Sequence, residues 1–243
     1  MSDHSAPALL VRDLQFRYRG SQSDSSAAAP WTLRIPSLSL SSGEQALLTG
    51  GSGSGKSTLL QLIAGLRDPD SGTIEVAGKN IHTLRGAARD LFRGRHIGMI
   101  FQTFNLLHGF SALENVMVAL MFSSIPPKEH ARRAAEALER LGIQRTGAMP
   151  EELSVGQQQR VAVARAVVCD PELVLADEPT ASLDPENARA AMDLIQSACR
   201  DHGAALLCVS HDPSLRDRFE RRVAIPESAG SASTSLAPEH SGV

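Results

Sequence analysis

Lysine is nearly missing from this chain. Lys56, Lys79 and Lys128 are the only three, and arginine carries the rest of the positive charge. We read that as a genome-composition bias, yet one of the three stands where phosphate chemistry needs a lysine. Aromatic residues make up only 4%, with Tyr18 the single tyrosine. The net charge is −3, so no broad basic field recommends nucleic acid or an anionic membrane surface as partner. Cys169, Cys199 and Cys208 are odd in number and lack C-x-x-C spacing, which points to free buried thiols in a reducing compartment. No apolar run reaches the roughly 18 residues a membrane span needs. Met1 to Pro7 lacks the charged start and apolar core of a signal peptide. Any membrane role is therefore expected to come through a partner. What remains is 42% hydrophobic and 21% charged over 243 residues, ordinary for one elaborated α/β domain.

Along the chain, Leu9 to Tyr18 reads as a strand. Gly20 to Pro30 is a Ser/Ala-rich loop, and Trp31 to Ile35 a second strand. Gln45 to Leu48 is a short apolar strand running into a glycine loop. Leu59, Leu60, Ile63 and Leu66 then recur at helical spacing over Lys56 to Leu66. Further strands are expected at Thr73 to Val76, His96 to Phe101, Leu173 to Ala176 and Ala205 to Val209. Helices are expected from Ala112, over Lys128 to Leu141 after Pro126-Pro127, from near Arg160, and over Pro185 to Arg200. Alternating strands and helices argue for a parallel sheet covered on both faces, with a helical lobe inserted between Ser111 and Val168. From Ser228 the Ser/Ala/Gly/Pro-rich composition predicts disorder.

Three stretches carry chemistry. Gly50-Gly51-Ser52-Gly53-Ser54-Gly55-Lys56-Ser57, followed by Thr58, is a complete G-x-x-x-x-G-K-S loop between strand and helix. Glycines let successive N–H groups turn toward one phosphate chain, and the helix adds its positive end. Lys56 would reach the β- and γ-phosphates, and the Ser57 hydroxyl would ligate Mg²⁺. Leu173 to Ala176 is an apolar strand tipped by Asp177 and Glu178, at the edge where parallel sheets bind ligands. There Asp177 would hold the metal and Glu178 would orient or deprotonate an attacking water. Taken alone, the same pair could be the acidic first turn of a helix. Ser154 to Gln159 precedes a helix and offers a second set of backbone donors, although a plain helix cap would read the same way.

In combination these motifs resemble the nucleotide-binding subunit of an ABC transporter. The glycine loop, Gln102 after an apolar strand, Leu153-Ser154-Val155-Gly156-Gln157, Asp177-Glu178, Ser182-Leu183-Asp184 and Ser210-His211-Asp212 stand in that family's order. The resemblance implies an α/β phosphate-loop fold with a mixed, mainly parallel sheet and an inserted helical subdomain at about 103–168. It implies a nucleotide-binding domain over 8–225, with flexible tails at 1–7 and 226–243. It also implies ATP and Mg²⁺ as ligands. Tyr18 would stack on adenine, Gln102 would sense the γ-phosphate and metal, and His211 would contact the γ-phosphate. Ser154, Gly156 and Gln157 would meet ATP on a second copy, and Asp184 would touch that copy. Two subunits of the same kind would close head to tail and couple hydrolysis to a separate integral membrane permease at the cytoplasmic face of the inner membrane. The family signature usually reads L-S-G-G-Q, and Val155 departs from it.

The stretches Phe101-Gln102-Thr103-Phe104-Asn105-Leu106-Leu107 and Ala112-Leu113-Glu114-Asn115-Val116 are similar to the branch serving lipoprotein release, macrolide-type export and the cell-division ABC complex. A non-transport ABC ATPase of DNA repair or translation is the alternative. Such proteins usually carry zinc motifs, coiled-coil insertions or paired cassettes, and none stands here. A phosphate-loop kinase or GTPase would lack the Ser154 to Gln157 signature.

Overall fold

The computed structural model describes residues 6–18, 33–51, 53–181 and 183–225. The expected loop at 20–30, the start of the Trp31 strand, Ser52, Ser182 and the expected tail beyond 226 lie outside them.

A five-stranded parallel sheet forms the centre. Its strands are β3 (Gln45–Thr49), β6 (Ile97–Phe101), β7 (Leu173–Asp177), β8 (Ala205–Val209) and β9 (Arg221–Ala224), in the order β6-β7-β8-β3-β9. A second sheet is antiparallel. It joins β1 (Leu9–Phe16), β2 (Leu33–Leu40), β4 (Ser71–Val76) and β5 (Lys79–Asn80) in the order β2-β1-β4-β5. Parallel and antiparallel strands are thus segregated into two sheets.

The apolar runs of the central strands are shared out by the two-residue period of a strand. Leu173 and Leu175 of β7, Ala205 and Leu207 of β8, and Leu48 of β3 face one core. That core also holds the inner face of the antiparallel sheet and helix α1 (Lys56–Ile63), whose Leu59, Leu62 and Ile63 are fully buried. Each such side chain contributes about 1.5–3 kcal/mol on leaving water. Val174, Ala176, Leu206, Cys208 and Leu47 face the opposite core, against helices α5 (Val155–Val167) and α6 (Pro185–Asp201). In α6 the buried positions Ala188, Ala191, Met192, Ile195, Ala198 and Cys199 make one helical stripe. Both faces of the parallel sheet are covered, as expected, but one cover is itself mostly a sheet.

Helices α3 (Ala112–Leu120) and α4 (Pro127–Arg140) pack with α5 around a third cluster that includes Val116, Leu120, Ala134, Leu138, Val161 and Ala164. Ser111 opens α3 with a full capping box: its Oγ accepts from Glu114 N–H, while its own N–H donates to Glu114 Oε2 at 2.8 Å. Pro127 sits at the first helical position of α4, where a missing N–H costs nothing. Cys199 and Cys208 are buried, and desolvation pushes the Cys199 thiol up to about 12.

Several local expectations need correction. The helix expected from near Arg160 starts at Val155, because Ser154 caps it with a box closed by Gln157. The helix from Lys56 ends at Ile63, short of Leu66. Helix α2 (Gly86–His96) has no counterpart in the sequence reading, since Phe92 is its only buried side chain and it shows no apolar stripe. Strand β9, with two arginines in four residues, was likewise hidden by its polarity.

Gly98 on β6 permits the closest approach of α5 to the sheet. A Cβ there would lie 2.2 Å from the Ala166 carbonyl oxygen, a backbone atom that cannot swing aside. Gly98→Ala is expected to cost about 3 kcal/mol, read as a lowered urea midpoint with unchanged slope.

Candidate active site

The parallel register determines which residues meet. Phe101 lies opposite Asp177, Asp177 opposite Val209, and Val209 opposite Leu48. Four strands therefore end level at one carboxyl edge. The residues that follow them, Gln102, Glu178, Ser210-His211 and the glycine loop, leave the sheet side by side. Tyr18, Gly53, Ser54, Gly55, Lys56, Ser57, Thr58, Gln102, Glu178 and His211 line one cavity of about 470 Å³. Positions separated by up to nearly two hundred residues in the chain thus share one pocket.

The loop itself is held by backbone geometry. Gly53 has φ 76 and Gly55 has φ 91, both in the left-handed region that side chains avoid. Gly55 is the residue capping α1, so the helix starts at Lys56 with its free N–H groups facing the loop. Lys56 is 5% exposed. Its Nζ donates to the carbonyls of Gly50 (3.0 Å) and Gly51 (2.9 Å) and reaches Ser54 Oγ at 3.5 Å. Desolvation lowers its pKa, while the nearby Glu178 and Asp177 charges pull it up. A buried ammonium resting on neutral oxygens is suited to exchange them for an anion.

Behind the lysine, Ser57 Oγ donates to Asp177 Oδ1 at 3.1 Å. Glu178 has φ 48, left-handed for a residue with a side chain, and its N–H donates to Val209 O at 3.0 Å. Such a conformation persists only where surroundings over-determine it. Glu178 Oε2 accepts from the His211 backbone N–H at 3.2 Å. Its Oε1 is buried without a hydrogen bond, although His211 Nε2 stands 3.3 Å away outside bonding geometry. Glu178 is among the residues that line the cavity with Lys56 and Gln102.

Tyr18 guards the mouth, 49% exposed. Its hydroxyl shares a hydrogen bond with Thr58 Oγ1 at 2.9 Å. Phe16 meets its ring edge-on at 5.1 Å, and the Arg67 guanidinium lies 5.0 Å from the ring centroid. Arg67 did not figure in the sequence reading, and nothing in its local pattern marks it.

Mg²⁺ is the metal that the motifs imply. Among the described residues no three His, Cys, Asp or Glu side chains gather into a metal cluster. The oxygens of Ser57 and Asp177 fit a hard ion, but they are too few to hold one alone. Mg²⁺ commonly takes one or two protein oxygens and completes its shell with phosphate and water, and this donor set suits that mode.

Ser154, Gly156, Gln157 and Asp184 do not line the cavity. Ser154 Oγ accepts from Gln157 N–H at 3.2 Å, and Gln157 Oε1 accepts from Ser154 N–H at 2.9 Å. Asp184 caps α6, accepting from Glu186 and Asn187, and its carboxyl is held below the usual range, first by the Asn187 backbone N–H. Ser154, Gln157 and Asp184 each have a local job, and the pocket is built without any of the four.

Fold and site together define a phosphate-loop nucleotide-binding α/β protein. A profile of the ABC transporter family matches residues 33–181. Among solved structures, the chain is similar to the ATP-binding cassette MJ0796, seen as a dimer in a post-hydrolysis state bound to ADP and Pi. That likeness runs at 30% identity and TM-score 0.76 over 90% of this chain and 95% of that one. It is also similar to cbiO1 from Clostridium perfringens, part of the ABC transporter complex cbiONQ, at 29% identity and TM-score 0.76 over 91% of this chain and 86% of that one. The chain belongs to the ABC transporter family, and it is an ATP-hydrolysing cassette of that family.

Lys56→Ala is expected to weaken ATP binding by about tenfold or more, measured by titration with a fluorescent ATP analogue. A dissociation constant within about twofold of wild type would remove Lys56 from the site.

Proposed function

We propose that this cassette is one half of an ATP-driven clamp that moves a separate membrane permease, of the export, lipoprotein-release or mechanotransmission kind. One observation carries the clamp. The N-terminus of α5 is capped and ready, Val155 is 53% exposed, and a Cβ at Gly156 would meet nothing within 4 Å. Among the described residues no contact calls for a glycine at 156, and its φ lies outside the left-handed region. A backbone left bare toward solvent at a helix N-terminus is suited to an anion brought by another molecule. The dimeric state of the MJ0796 cassette supports the same reading.

In this reading adenine stacks on Tyr18, and the triphosphate lies along Gly50, Gly51, Ser52, Gly53, Ser54, Gly55, Lys56, Ser57 and Thr58. Lys56 Nζ trades its two carbonyls for β- and γ-phosphate oxygens. Mg²⁺, held by Ser57, Gln102 and Asp177, would neutralise charge on those oxygens. The partner subunit's Ser154, Gly156 and Gln157 close over the γ-phosphate, and Asp184 touches the opposite copy. Closure excludes water and strengthens every charge interaction inside. Glu178 Oε1 takes a proton from water as the water oxygen bonds to the γ-phosphorus. The bond from that phosphorus to the bridging oxygen breaks, and ADP keeps the bridging oxygen. His211 and Gln102 hold the γ-phosphate in line. Loss of those contacts after hydrolysis reopens the clamp.

A groove of about 250 Å³ beside the Gln102 loop supports the permease as partner. Phe101, Asn105 and Phe122 line it, and Leu107, Phe110 and Met121 are exposed large apolar side chains on the same loop and the end of α3. Exposed apolar side chains grouped on one loop and one helix end suit a docking partner. No helix among the described residues is long and apolar enough to cross a membrane, so the cassette would sit at the cytoplasmic face of the cell membrane through that permease. Nucleic acid has no place in this scheme.

Glu178→Gln is expected to cut turnover by about a hundredfold or more while leaving ATP affinity within about twofold. It should also accumulate an ATP-bound dimer on size exclusion with light scattering. Normal turnover in that variant would displace Glu178 as the base. Gly156→Ala is expected to leave stability within about 0.5 kcal/mol of wild type yet lower ATPase activity by about tenfold or more. Full activity in Gly156→Ala would mean that nothing docks against α5. Recovery of the native assembly without a polytopic membrane subunit would count against the permease.

A further inference from the structure

One partly buried charge has no task in the scheme above. Arg165 lies on α5, the helix that Ser154 opens, and is partly buried beside the groove that Arg93, Asn105 and Phe122 also line. Partial burial depresses its pKa. A desolvated cation is tolerated only where fixed acceptors replace its hydration. Arg165 has two. Its NH1 donates to the Asn105 carbonyl at 2.7 Å and its NH2 to the Phe104 carbonyl at 2.6 Å.

Those two carbonyls belong to an unusual piece of backbone. Phe104 has φ 58 and Asn105 φ 47, consecutive left-handed residues that both carry side chains. L-residues enter that region singly and at a cost. Here the pair is over-determined. Phe104 is buried, Thr103 Oγ1 donates to Asn105 Oδ1 at 2.8 Å, and the arginine fork grips both carbonyls. The far end of the same loop is pinned to α3 by Asn115, which accepts from Leu107 N–H at 2.7 Å and donates to the carbonyls of Leu107, Phe110 and Ser111. The next residue on α5, Ala166, presses its carbonyl against Gly98 of β6, the strand that delivers Gln102. Two successive residues of α5 are therefore fastened to the strand and loop on either side of Gln102.

We infer that Arg165 is a positioning residue that ties the Gln102 loop of one nucleotide pocket to the α5 terminus serving the other. The inference rests on the dimer reading above. In that dimer each chain's Gln102 faces its own ATP, while its Ser154 faces the partner's. A shift of Gln102 toward a bound γ-phosphate displaces the Phe104 and Asn105 carbonyls. The planar fork converts that displacement into movement of α5, since two parallel bonds resist both sliding and rotation. Occupancy of one site then biases closure at the second, with no contact between the two nucleotides. A lysine would keep the charge but lose the fork.

The test measures ATP-driven dimerisation of the full chain by light scattering, in a Glu178→Gln background so that nothing is hydrolysed. The background alone is expected to dimerise sigmoidally with a Hill coefficient of about 2. Adding Arg165→Lys should lower that coefficient to about 1 and raise the midpoint ATP concentration about tenfold. Binding of a fluorescent ATP analogue to the dilute monomer should stay within about twofold of the background. Asn105→Gly slackens the other end of the link without touching α5, because glycine holds a positive φ freely, and should give the same loss of sigmoidality. The double variant should be no worse than either single, as for two cuts in one connection. Sigmoidal dimerisation retained in both variants overturns the inference while leaving the clamp intact. Additive losses, or losses matched by weaker monomer binding, also overturn it. Failure of the Glu178→Gln background itself to dimerise with ATP sinks the clamp, and this inference with it.

Discussion

The level ending of four parallel strands is the constraint on which the rest of this molecule depends. Backbone hydrogen bonds hold Phe101, Asp177, Val209 and Leu48 abreast inside a dry sheet. A slip of one residue in β7 would exchange Leu173 and Leu175 with Val174 and Ala176 between two different cores. The apolar volumes on the two faces thus lock the register, and the register carries Gln102, Glu178, His211 and the glycine loop to one edge. The arrangement of the candidate site is a by-product of packing that occurs well beneath it.

On that edge the charges are arranged before any substrate arrives. Lys56 is buried against neutral carbonyls with two carboxylates nearby, and Glu178 keeps one oxygen buried and unbonded. Both are costly arrangements that a polyphosphate and its attacking water would relieve. Left-handed backbone occurs at this edge as well as elsewhere in the chain: Glu178 has φ 48, and Phe104 and Asn105, just beyond Gln102, have φ 58 and 47. Each left-handed non-glycine residue costs about 1–2 kcal/mol. The sheet and the helices beside it supply the rigidity that keeps these residues in place.

The helical lobe is energetically separate yet mechanically attached. Its own cluster around Val116, Leu138 and Val161 is distinct from the two cores of the sheet. Helix α5 belongs to both, with Val163 and Val167 packed on the sheet and Val161 and Ala164 on the lobe. An element shared between two packed bodies cannot move with one and ignore the other. Its capped end at Ser154 and its grip on the Gln102 loop through Arg165 lie on that shared element.

Much of the site was legible in the linear chain, because its chemistry is local. A glycine loop needs consecutive residues to shape successive N–H groups, and the acidic pair needs only an apolar strand before it. Gln102, Ser154 to Gln157, Asp184 and His211 were legible only through their resemblance to the family's order of motifs. Elements without a buried stripe could not be read from local pattern. Helix α2 buries only Phe92, and β9 is carried by pairing with β3 in spite of Arg221 and Arg222. Nor could the sequence separate the strands into two sheets, since an apolar strand reads the same in either. Arg165 looked like one more arginine in an arginine-rich chain. Only the fold brought its guanidinium to the Phe104 and Asn105 carbonyls, and only the fold left Gly156 with open space above it. The chain by itself determined which groups could meet a phosphate, because that chemistry is written in neighbouring residues. Which of them share a pocket, and which lie outside it, was decided by strand register and helix packing, which join residues far apart in the chain.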